Sequence, residues 1–222
     1  HSIRKFHDIS GSVWKEDSHL YIVPLDDNGL QHLLAAHPEL KDAKAEHCVE
    51  NAPYCGIAHY LPIGHMMRKS VWLPASPVNT IDPVQFKLVQ NVKRTKSVRH
   101  LKFSLLGSER MTVYIQPKKG VLLTKWSLRG KIGKSADVSN DGVYFINYGH
   151  GYATSPWVFW IELDTTNAED DGTDAILNIA VAAHHFHKDD VNKSKDLLKY
   201  LKKDPVWVTA TKAISTYESW VF

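Results

Sequence analysis

Thirteen histidines are spread over 222 residues, and three of them, His184, His185 and His187, crowd together at the end of an apolar run. Imidazole at that density is the chemistry of zinc ligation. In an extended chain His185 and His187 share one face while His184 takes the other. A two-histidine face could hold zinc if a third ligand came from elsewhere, but no HExxH pattern is present to supply one. The plainer reading is a polar strand end or a set of buried, satisfied histidines.

Two cysteines occur, Cys48 and Cys55, separated by six residues that include Asn51-Ala52-Pro53 at the bend. They could be a redox or metal pair, or a local disulfide. With no second cysteine pair to complete a tetrahedral zinc site, the disulfide is the simpler reading. Closing so short a loop would contribute roughly 2–3 kcal/mol in the chain-entropy account and would imply an oxidising compartment. The sequon Asn192-Lys193-Ser194 points the same way, with Asn192 as a glycosylation acceptor.

Other motifs fail on inspection. Residues 164–174 concentrate oxygen ligands of the kind calcium takes. An EF-hand register with Gly172 at the sixth position, however, puts Asn178 where the bidentate glutamate belongs. Gly133-Lys134-Ser135 ends like a phosphate-binding loop, yet Leu128 stands where its first glycine is needed. A basic run (Lys93, Arg94, Lys96, Arg99, His100, Lys102) lacks the interleaved aromatics of a nucleic-acid surface and reads as a solvated strand face. The aromatic set Tyr148, Tyr152 and Trp157 is a candidate ligand surface, since exposed rings on a β-sandwich can stack on sugars or peptides. Because Trp157-Val158-Phe159-Trp160 is apolar on both faces, a central strand covered on both sides is the plainer expectation.

The elements that would position these residues are mostly strands. Residues 6–9 and 19–23 flank the turn Ser10-Gly11-Ser12, and short helical stretches are expected around Leu30, Leu33 and Leu34 and from Pro38 to Cys48. Residues 61–83, rich in proline, read as an extended connector. Beyond 85 the chain becomes a series of short apolar runs punctuated by turns at 100–106, 111–115, 121–126, 143–147, 157–163 and 175–182. No βαβ alternation appears, so the expected fold is mainly β: an antiparallel, jelly-roll-like β-sandwich over 86–222, with a small α+β portion over 1–85 packed against it. One late helix carrying Leu197, Leu198 and Leu201 is expected to be capped by Asp189 or Asp190.

Composition narrows the functional classes. Hydrophobic residues make up 43% and charged residues 23%, ordinary globular proportions that exclude a disordered or fibrous chain. A net charge of +3 gives no strong field for nucleic acid. No apolar run approaches the ~20 residues needed to span a bilayer, so no membrane span is expected within this chain. The chain starts at His1 with no signal-peptide pattern before it, which reads as a fragment or processed product.

Several stretches in order carry a resemblance. They are residues 47–56 with Tyr60-Leu61-Pro62, Trp126-Ser127-Leu128, Tyr148-Gly149-His150-Gly151 with 157–162, residues 179–184, and the terminal Thr216-Tyr217-Glu218-Ser219-Trp220-Val221-Phe222. Together they resemble the C-terminal luminal region of endoplasmic reticulum metallopeptidases, a zinc aminopeptidase-like family, over nearly the whole chain. The resemblance implies a non-catalytic accessory domain of a membrane-anchored enzyme. Its zinc and catalytic carboxylates would belong to another domain, and its partners would be the catalytic and membrane domains of the same precursor. No catalytic or metal residue and no cofactor is carried over to this chain; Cys48 and Cys55 carry over as a disulfide. The expected setting is the endoplasmic reticulum lumen. The alternative is a free-standing secreted sandwich that binds a protein or small-molecule ligand through its aromatic or histidine-rich surface.

Overall fold

The computed structural model describes residues 1–24, 30–45, 53, 71–129, 132, 142–151, 155–169, 172–206, 208, 210 and 212–222. Cys48, Cys55 and Tyr152 lie outside them.

Twelve strands are described: β1 (Ser2–His7), β2 (Val13–Ile22), β3 (Lys44–Ala45), β4 (Val71–Pro74), β5 (Gln85–Lys93), β6 (Val98–Leu106), β7 (Arg110–Pro117), β8 (Leu122–Trp126), β9 (Tyr144–Gly149), β10 (Trp157–Asp164), β11 (Leu177–His185) and β12 (Ile214–Val221). They form two sheets. The larger runs β3-β4-β2-β1-β12-β11-β7-β9 and the smaller β5-β6-β10-β8. The fold is mainly β and sandwich-like, as the spacing of apolar runs led us to expect.

Period-two alternation explains which side chains meet between the sheets. On β6, Leu101, Phe103 and Leu105 turn inward while His100, Lys102 and Ser104 turn outward. Beside them in the same sheet lie Phe159, Ile161 and Leu163 of β10, and packed against both are the inward faces of β7 (Met111, Val113, Ile115) and β11 (Leu177, Ile179, Val181, Ala183) of the large sheet. Strand β11 is buried along its whole length because its other face is also covered. There the small side chains of Ala180 and Ala182 leave room for Tyr114, Tyr217 and Phe6 to close over them. A strand buried on both faces has no polar alternation, as residues 177–183 show.

The first strands do not stand apart from the sandwich. β1 pairs antiparallel with β2 and parallel with β12, Ile3 opposite Thr216 and Lys5 opposite Glu218, so the N-terminal strands extend the large sheet. The turn at Gly11 joins β1 to β2 as expected, with Asp8 accepting the backbone N–H groups of Ser10 and Ser12. The early helical stretches are 3-10 turns, Gln31–Leu33 and Pro38–Asp42. Part of the expected proline-rich connector is strand β4, paired with β2.

The late helical region differs from its expected form. Asp189 and Asp190 lie inside a single turn, α1 (Lys188–Val191), and the longer helix α2 (Lys195–Leu201) is capped by Ser194, whose Oγ accepts the Leu197 N–H at 3.2 Å. The hydroxyl sits where the backbone enters the helix and the two aspartates do not, which is what selects the cap.

Candidate functional site

The three clustered histidines are separated by the fold. β11 ends at His185, so His184 and His185 fall on opposite faces of the large sheet, both buried. His184 Nδ1 lies 3.2 Å from Ser215 Oγ, and its backbone carbonyl accepts the Ser108 hydroxyl. His187 lies beyond the strand, largely exposed, with Nε2 3.6 Å from Glu109. The expected shared face of His185 and His187 is therefore absent, because the extended geometry that would create it stops at His185, two residues short of His187. Among the described residues no three His, Cys, Asp or Glu side chains are grouped to hold a metal ion.

Tyr148 of β9 and Trp157 of β10 are brought together. Their rings stack at 4.2 Å with 5° between planes, and Trp157 also stacks on Phe159 at 4.5 Å. The column seals one end of the sandwich and packs against the core. On the opposite face of β10, Val158 is half exposed, so the strand is covered on its inner side and open there on its outer side, not covered on both as its composition suggested.

The sequence reading missed three polar centres. The first surrounds Glu162, whose carboxylate is buried on the outer face of the small sheet. Strand register places His100 of β6 and Lys125 of β8 directly beside it, and Arg94 reaches over from the β5–β6 turn. The distances are 3.4 Å to His100 Nδ1, 3.2 Å to Lys125 Nζ and 3.2 Å to Arg94 Nε. Burial pushes the carboxyl pKa up, but Lys125, His100 and Arg94 outweigh it and hold the group below the usual carboxylate value. The signal was available: one carboxylate inside an apolar strand implies cationic neighbours, and the basic run supplies two of them.

The second centre lies across β1 and β2. Arg4 donates from Nε and Nη2 to the two Asp17 oxygens at 2.7 and 3.0 Å, a fork pairing available because the residues are register partners. Fully buried His19 packs its ring 4.8 Å from Trp72 and holds Nδ1 3.6 Å from Asp17. Burial lowers its pKa from 6.5 to about 4; the Arg4 charge adds to the fall and Asp17 opposes it. The unfolded chain thus takes up a proton near pH 6.5 that the folded chain refuses until about pH 4. Stability from neutral His19 is complete above pH 6.5 and declines as pH falls from there toward 4. We expect the urea midpoint to fall across that window, and the fall to be smaller in His19→Phe. Parallel pH profiles for the two proteins would refute this assignment.

The third centre ties distant segments together. His37 Nε2 meets Asp204 at 2.7 Å while its ring stacks on Tyr200 at 5.0 Å, fastening the second 3-10 turn to the end of α2. His1 bridges Ser18 Oγ (2.8 Å, through Nε2) and Ser194 Oγ (2.6 Å, through Nδ1). These are serine–histidine contacts, but Ser194 is completely buried and its hydroxyl already serves as a helix cap, so it lacks the access a nucleophile needs. Asn192 is exposed in the turn between α1 and α2.

Each polar centre therefore joins one strand or turn to another. Comparison with known proteins agrees with the resemblance carried by the sequence motifs. Residues 1–220 match the family model described as endoplasmic reticulum metallopeptidase 1, C-terminal domain. The chain is 36% identical to endoplasmic reticulum metallopeptidase 1 of Rattus norvegicus and 34% identical to that of Homo sapiens, in each case over 223 aligned residues. The alignment covers 100% of the chain but only 24% of either relative. The chain belongs to the endoplasmic reticulum metallopeptidase 1 C-terminal domain family.

Proposed function

We propose that this chain is a non-catalytic accessory domain on the luminal side of a membrane-anchored zinc metallopeptidase of the endoplasmic reticulum, supporting the parent's stability and its contacts with substrate or partner. The observation that carries the reading is the use to which reactive side chains are put: the described histidines and buried carboxylate hold strands together instead of converging on one point. The relatives' name implies a metal in the parent. The histidines described here diverge across two sheet faces and do not fit a zinc ligand set; on this reading the parent's zinc lies in the remaining three quarters of a relative-sized protein. No described helix is long and apolar enough to cross a membrane. A secreted ligand-binding role has less support, because Tyr148 and Trp157 spend a ring face on each other.

Deleting residues 1–222 from the full-length parent tests the proposal. The expected result is a lower steady-state amount of parent, with peptide turnover per zinc-loaded molecule retained in what survives. Normal abundance with turnover abolished and zinc content unchanged would place reacting groups in this domain and overturn it.

A further inference from the structure

The turn between α1 and α2 contains Asn192-Lys193-Ser194, and its first and last residues have opposite environments. Asn192 is exposed, whereas Ser194 has no accessible surface. An asparagine acceptor for N-linked glycan requires the hydroxyl two residues on to be available to the transferase. In the folded chain that hydroxyl is committed twice, to the Leu197 N–H as helix cap and to His1 Nδ1. The backbone is committed too, with the Ser194 N–H donating to Val191 O at 3.1 Å in a closed turn.

We propose that Asn192 carries an N-linked glycan that is attached before this domain folds, since folding withdraws the Ser194 hydroxyl that the transferase must read. The inference rests on the luminal placement proposed above. In the transfer, Asn192 Nδ2 attacks the anomeric carbon of an oligosaccharide linked to a polyprenyl diphosphate. A C–N bond forms, the bond from that carbon to phosphate oxygen breaks, the polyprenyl diphosphate leaves with the electron pair, and one amide proton passes to solvent. Once Ser194 has capped α2, the glycan projects from an exposed corner and obstructs no described contact.

Two measurements test it. In the full-length protein isolated from cells, glycopeptide mass spectrometry should find Asn192 occupied, with occupancy lost in Asn192→Gln and Ser194→Ala and kept in Ser194→Thr. Protease protection of the same region in sealed microsomes separates the two ways of failing. A protected, unmodified Asn192 overturns the glycan while leaving the luminal reading intact; a protease-accessible region overturns the luminal reading itself. For the order of events, full-length protein made without glycan is offered to purified oligosaccharyltransferase and its lipid-linked donor. Transfer to Asn192 should appear only after the protein is denatured, and equal transfer to the native protein would overturn the proposed order.

Discussion

Phe103→Ala should destabilise the chain by about 3–5 kcal/mol, enough to consume much of the net stability of a domain this size. Phe103 is fully buried at the middle of β6, in the small sheet. Its ring stacks on Phe86 of β5 at 5.2 Å and meets Phe159 of β10 at 5.4 Å and Phe222 at 5.4 Å. Phe222 belongs to the other layer: its backbone bonds Leu177 of β11 in both directions. Removing the ring therefore opens a void touching three strands of one sheet and the end of the other, and such a site cannot collapse without moving a strand. Phe103→Leu, which keeps most of the volume, should cost about 1 kcal/mol. Urea denaturation of both variants reads the difference, and a loss for Phe103→Ala no greater than that for Phe103→Leu would show that the layers do not meet at this ring.

Strands such as β6 were legible because one side faces the core and the other faces water, so burial writes a period of two into the sequence. β11 was legible for the opposite reason: being covered on both faces, it is an apolar run from Ile179 to Ala183 with no polar alternation. β5 escaped notice. It is a sheet edge with a bulge between Leu88 and Gln90, and beyond that bulge all its residues are exposed, so neither periodicity nor continuity survives. The parallel pairing of β1 with β12 joins segments more than 200 residues apart, and no local pattern encodes which distant strand completes a sheet. The same limit applied to the polar centres. Glu162 is a buried acid flanked by apolar residues in β10, which foretells cationic partners, but choosing His100 and Lys125 from 27 lysines and arginines and 13 histidines requires the register of three strands. The histidine cluster misled for a simpler reason. Its pattern assumed an extended chain through His187, and two residues of strand length decided whether two rings shared a face.

Gly120→Ala should cost about 2–5 kcal/mol, and the reason lies in how the layers are connected. The chain passes between the two sheets several times, once from the large to the small between β7 and β8 and once from the small to the large between β10 and β11. These two connections touch. The Glu169 N–H donates to Lys119 O at 3.2 Å, and Thr165, at the start of the same connection, donates its N–H to Ser97 O at 2.7 Å. At the point of contact Gly120 has φ of 80°, and a Cβ placed there would lie 1.8 Å from the backbone oxygen of Asn167. Two penalties then act together: the left-handed backbone disfavours any side chain, and the backbone of the second crossing must retreat. Gly11 separates them, because it has φ of 81° with nothing within 4 Å of the added carbon. Gly11→Ala should therefore cost only about 1 kcal/mol, the conformational part alone. Moreover, Gly120→Ala should speed amide exchange near the ends of β8 and β10, where the layers are tied by these connections, while Gly11→Ala should leave those amides unchanged. Equal losses of stability at the two glycines would mean that the crossings do not bear on each other, and the closure of the sandwich would then rest on its core side chains alone.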